Sequence, residues 1–150
     1  MAISQLLTNS FKGELLQGGH AFTYASTGYN IALFTNTTTL DASVEAYSVF
    51  DGATGLTGEV ANGNGYTAGG VTLSVSSVGE SNGVGYVTFN DATWASSTFT
   101  ARGALIYKNT GAKNSVMVLD FGADKTVTNG TFRVDFGLAF TNETAVIQIR

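Results

Sequence analysis

The chain has 150 residues, no Cys, no Pro and one His, with 43% hydrophobic and 12% charged residues and a formal net charge of −4. That length makes one domain of ordinary size, able to bury a core without staples. The missing Cys removes disulfides, thiol redox chemistry and thiolate metal sites. Seven Lys and Arg, scattered singly, form no basic patch with which to displace counterions from phosphates, so no nucleic-acid partner is expected.

Residues 1–17 lack the basic start and unbroken apolar run of a signal peptide. No stretch approaches the ~20 apolar residues that cross a bilayer, so no membrane partner is expected either. Ile3, Leu7, Phe11 and Leu15 recur every four residues, the spacing of one helix face. The pattern predicts a helix over 3–16 within an N-terminal segment 1–19, stopped by Gly18 and Gly19 in the usual place for a C-terminal cap. Gly13 inside it costs about 1 kcal/mol relative to Ala. Such a helix needs something to pack on, either its own sheet or a neighbouring subunit.

From Phe22 onward the pattern is β. Ile31 and Leu33 precede a Thr-rich stretch, 35–39. Asp41 could cap a single helical turn through Ala46. Residues 52–70 are Gly-rich and predict a long loop, with Tyr66 as its anchor. Val71, Leu73 and Val75 alternate with Thr72, Ser74 and Ser76 as a half-buried strand. Residues 86–89 make another short strand. Phe99, Ala101, Gly103, Leu105 and Tyr107 fall on one face of a longer one. Residues 116–121 are apolar except for Asp120 and predict a central strand covered on both sides. Phe132, Val134 and Phe136 alternate with Thr131, Arg133 and Asp135, and 145–149 closes the chain. Asn82-Gly83 and Asn129-Gly130 supply the positive-φ pairs of tight hairpins, and Asn109-Thr110-Gly111 a third turn. The fold expected is all-β: one β-sandwich domain over 1–150, jelly-roll-like, of short antiparallel strands with a short N-terminal helix.

The residues that could carry chemistry do not assemble into a motif. His20 has no Gly-x-Ser-x-Gly partner, and one His without Cys nearly excludes zinc. Asp120 and Asp124 flank Phe121-Gly122-Ala123 as strand-end and turn acids, without the other kinase motifs. Gly63-Asn64-Gly65 lacks the helix and acid of a dinucleotide fingerprint. Asn36, Asn129 and Asn142 sit in glycosylation sequons that a Thr-rich chain produces by chance. No catalytic residue, cofactor or metal is expected. Charged residues are half the usual share of about 25%, which suits either a neutral Thr/Ser surface or one covered in an assembly. With no Pro and few Lys, the strand edges lack two devices that deter pairing with strangers.

Four stretches carry a resemblance over nearly the whole chain: Ser10-Phe11-Lys12-Gly13-Glu14-Leu15-Leu16, Gly65-Tyr66-Thr67-Ala68-Gly69-Gly70, residues 94–107 and residues 118–127. In this order they resemble a family of small virion structural proteins of tailed bacteriophages. Family members often carry Pro after the strand that ends here at Phe136, where this chain has Gly137. The resemblance implies a capsid decoration (cement) protein. It would be made in the host cytoplasm, sit on the outer surface of the shell, bind the major capsid protein and assemble as a homotrimer. Ile3, Leu7, Phe11, Tyr66 and Trp94 are the expected partner-contact residues. The alternative is a tail or fibre module binding host-surface glycan, with Tyr66 and Trp94 lining a groove.

Overall fold

A computed structural model describes residues 2–47, 58–137 and 145–150. The chain folds as two antiparallel sheets with one short helix. In chain order the elements are β1 Leu6–Leu7, α1 Asn9–Leu16, β2 Tyr29–Phe34, β3 Val71–Leu73, β4 Val75–Ser81, β5 Val84–Phe89, β6 Ala92–Lys108, β7 Ser115–Val134 and β8 Ile147–Ile149. The larger sheet has the order β1-β7-β6-β2-β3 and the smaller β4-β5-β8. Among the described residues, no helix is long and apolar enough to cross a membrane.

The larger sheet is covered on both faces, which is why its inner strands read as apolar runs. Ile31, Leu33, Ala104 and Ile106 face Val75, Val87, Phe89 and Ile147 of the smaller sheet, making the core of a β-sandwich. Ala32, Phe34, Leu105, Tyr107 and Val118 point the other way. They are covered by Ile3, Leu40, Val44 and Tyr47. Val116, Met117, Val118 and Leu119 are all buried, as expected of a central strand.

Several local expectations change. Ile3 and Leu7 are extended rather than helical: Ile3 bridges Leu40, and Leu6 and Leu7 pair with Val118 and Met117. Pairing with the β7 edge overrides a fourfold spacing that Gly13 weakens, and the helix starts only after Thr8. Gly18, at φ 75°, ends it as expected. The strand expected through Val71, Leu73 and Val75 breaks at Ser74, where the chain changes sheet. Val71–Leu73 pairs with β2, whereas Val75 begins the pairing with β5. A register shift between Ala101 and Gly103 turns the chain over, so Phe99 and Ala101 join one core layer and Leu105 and Tyr107 the other. Asp41 makes a side-chain-closed turn, accepting from the Ser43 N–H at 2.8 Å, and not a helical turn.

Asn82-Gly83 is the β4–β5 hairpin, with φ of 52° and 77°. Residues 109–114 form the β6–β7 turn. Asn129-Gly130 is no hairpin. It lies inside β7, where Asn129 at φ 49° and Ser96 at φ 51° accommodate register shifts against β6. A single left-handed Asn serves a bulge here, where a hairpin would need both residues of the pair at positive φ. The strands are not all short: β6 has 17 residues and β7 has 20.

Candidate assembly surface

The β6–β7 ribbon is longer than the sheet it belongs to. On one side β2 pairs with β6 only from Gly103 to Lys108. Further along, the Gly-rich loop meets that edge at Ser97 and Thr98: the Thr98 N–H donates to the Asn64 carbonyl at 2.9 Å, and Gly65 packs directly on Ser97. A Cβ on Gly65 would lie 2.6 Å from Ser97 Oγ, at a φ of +87°. Only Gly fits there.

The other side of the ribbon is paired over a shorter stretch among the described residues. β1 covers β7 only at Met117 and Val118. Beyond Asp120, no strand among the described residues pairs with the outer edge of β7. Residues 122–126 are exposed on both faces. This edge offers a row of backbone donors and acceptors to an incoming strand, with Lys125 as its one guarding cation. The strand also bends, bringing the Phe121 and Phe132 rings to 6.1 Å. Two hollows of about 320 and 340 Å³ flank the bend and share Phe121, Val134 and Asp135 as lining. Ion pairs fix the rim: Arg133 with Asp91 and Asp135, and Arg102 with Asp120 at 3.2 Å.

The five residues expected to meet a partner are turned inward. Ile3, Phe11, Tyr66 and Trp94 are buried, and Leu7 is half-buried against the core. Phe11 packs edge-on against His20 and Phe22. Trp94 lies among Tyr66 and Phe132. Tyr66 and Trp94 thus line no groove. Among the described residues, the exposed large apolar side chains are Leu16, Tyr24, Val78 and Ile149.

Tyr66 does anchor its loop, through a partner that sequence patterning missed. Glu59 accepts from the Tyr66 hydroxyl at 2.7 Å, the Tyr47 hydroxyl at 2.8 Å and the Gly69 N–H at 2.6 Å. Tyr66 in turn accepts from the Leu33 N–H at 2.9 Å. Burial, with the Glu59 charge beside it, pushes the Tyr66 hydroxyl far above its ordinary pKa. A lone Glu in a Gly-rich stretch carries no periodicity, and nothing in the sequence pointed to it.

Several other titratable groups are held in local networks. His20 Nε2 lies 2.6 Å from Glu14 Oε2, and its Nδ1 lies 3.4 Å from the Tyr29 hydroxyl. Glu14 Oε1 accepts from Asn114 Nδ2 at 2.7 Å, so the network ties α1 to the start of β7. Burial pushes the Tyr29 pKa up to about 12. Asp120 Oδ1 caps the Gly122 N–H, and Asp124 accepts from Asn36 Nδ2. Asn142 lies outside the described residues. No group of three or more His, Cys, Asp or Glu among the described residues could hold a metal. Comparison with family models, curated proteins and solved structures finds no match for the chain.

Proposed function

We propose that the protein is a bacteriophage virion structural protein, a capsid decoration protein that binds the outer surface of the shell and stabilises it. It acts by binding and self-assembly, as a trimer, with the major capsid protein as its partner. The observation that carries this reading is the outer edge of β7 beyond Asp120, with which no strand among the described residues pairs. A strand exposed on its edge and on both faces is costly in an isolated protein and useful in an assembly, where a partner strand satisfies its backbone groups. The resemblance supports the same unit, since residues 94–107 and 118–127 are the two strands of this ribbon and Gly65 to Gly70 is the loop that meets its other edge.

The test is a pair of variants at neighbouring positions of β7, Lys125→Pro and Thr126→Pro, which pair in regular register with Ala101 and Thr100. Neighbouring N–H groups in a strand point to opposite edges, so one of the two prolines removes a donor of the outer edge and leaves the pairing to β6 intact. The proposal expects a folded protein that no longer decorates shells or forms trimers. Decoration unaffected by both substitutions would overturn the β7 edge as the docking element.

A further inference from the structure

On the face of the larger sheet away from the smaller one, a hollow of about 310 Å³ opens beside the β6–β7 turn, lined by Asn30, Tyr47, Gly69, Tyr107, Asn109 and Lys113 among others. We propose that it binds a carboxylated sugar residue. This is a second binding function, independent of the docking edge on β7.

The floor meets the edges of two otherwise buried tyrosines. Tyr47 and Tyr107 stack at 4.3 Å with their planes 10° apart. Their hydroxyls are fixed in the same network, Tyr47 on Glu59 Oε2 and Tyr107 on the Gly69 carbonyl at 2.7 Å. Gly69 takes the left-handed φ of +92° that brings its carbonyl to the Tyr107 hydroxyl. Gly70 leaves no space for any side chain, because a Cβ would run into the Ile31 carbonyl. The Gly-Gly pair thus lets the backbone close one wall over the rings.

The other wall supplies polar groups with unused capacity. Asn109 Nδ2 spends both hydrogens on the Thr27 carbonyl and Asn30 Oδ1, which leaves its own Oδ1 as a fixed acceptor. Asn30 Nδ2 donates once, to the Tyr107 hydroxyl at 3.4 Å, and keeps one N–H. Lys113 holds its ammonium 5.3 Å from the centre of the Tyr47 ring, and no carboxylate among the described residues lies within ion-pair distance of it. Its backbone is left-handed, at φ 55°, and is pinned by the Tyr47 N–H donating to its carbonyl at 2.9 Å. The cation is therefore preorganised over the hollow in a chain whose net charge is negative.

A cation, an amide donor and an amide acceptor above aromatic edges suit a ligand with one carboxylate and several hydroxyls. A neutral sugar leaves Lys113 unused. A simple carboxylate leaves the two amides unused. A nucleotide phosphate would want more donors than one ammonium and one N–H.

The test is amide chemical-shift titration of the full chain with galacturonate, galactose and acetate, repeated on Lys113→Asn, which keeps a residue tolerant of left-handed backbone and removes the charge. The expected result is saturable shifts around Asn30, Gly69 and Lys113 with galacturonate, about tenfold weaker binding of galactose and acetate, and a similar loss in Lys113→Asn. Absence of saturation with galacturonate would overturn the proposal. So would equal binding of galactose or acetate, or undiminished binding by a folded Lys113→Asn.

Discussion

Glu59 holds two tyrosine hydroxyls and a backbone N–H, and through them the loop that meets the β6–β7 ribbon. Hydrogen bonds to a charged group contribute about 1.5–3 kcal/mol each, so Glu59→Ala, which strands a buried Tyr66 hydroxyl, is expected to cost about 3 kcal/mol in a denaturation experiment. An unchanged midpoint would show the network to be dispensable. Gly103 is the second sensitive position. A Cβ there would lie 2.5 Å from the Leu119 carbonyl and 2.9 Å from Ile3. Gly103→Val therefore overpacks the core by about 1–3 kcal/mol, a loss that thermal melting would detect. The space Gly103 leaves is filled by Ile3 from the N-terminal segment, not by the facing sheet as its strand position suggests. Asp91 gives a pH signature. The Phe136 N–H, at 3.0 Å, and the Arg133 guanidinium hold its carboxyl below the ordinary value of 3.8. A carboxyl depressed on folding contributes stability above its unfolded pKa, and that contribution is lost as pH falls through the lower folded value. Asp91→Asn should thus destabilise the protein at neutral pH and flatten the acid limb of its stability profile; an unchanged acid limb would mean that the pairing is too solvated to matter.

At the scale of elements, the sequence shows strands most clearly where burial has a simple period. Phe132, Val134 and Phe136 face inward as their alternation requires, and the 116–119 run is buried on both faces. Asn82-Gly83 makes its hairpin because the flanking runs are both strands of one small sheet. Asn129-Gly130 carries the same local signal but sits within a pairing that continues on both sides, and long-range register against β6 decides in favour of a bulge. The break at Ser74 is invisible for a similar reason: Val71, Leu73 and Val75 keep their alternation while the hydrogen-bond partners change from β2 to β5. The candidate site was the least legible part. Tyr66 as a loop anchor could be inferred from an aromatic amid glycines, whereas Glu59, Lys113 and the outer β7 edge follow from tertiary placement alone. The N-terminal segment shows how an apolar stripe can mislead. Phe11 is fully buried among His20 and Phe22, so Phe11→Ser is expected to cost about 3–5 kcal/mol in folding. Loss of decoration by a Phe11→Ser protein of unchanged stability would instead make the helix a docking element.

At the scale of the whole molecule, the sandwich carries one long ribbon whose outer edge no strand among the described residues pairs. Its interior is complete without a partner: the expected contact residues Ile3, Phe11, Tyr66 and Trp94 are all spent on the chain's own core. Assembly through the β7 edge then needs no refolding, only the addition of backbone hydrogen bonds to a strand already in place, with apolar side chains entering the hollows beside Phe121 and Phe132. Edge pairing of this kind is weak for one strand and strong for several subunits bound to one lattice, which suits a decoration protein that is held by many shell sites at once. The most direct measurement is the copy number of this chain in purified particles, by quantitative mass spectrometry against the major capsid protein. Decoration of the shell predicts a copy number of the same order as that of the capsid protein, falling sharply when whichever of the Lys125→Pro and Thr126→Pro proteins keeps its pairing to β6 replaces the wild type. A copy number of only a few per particle, matching the symmetry of a tail, would contradict it.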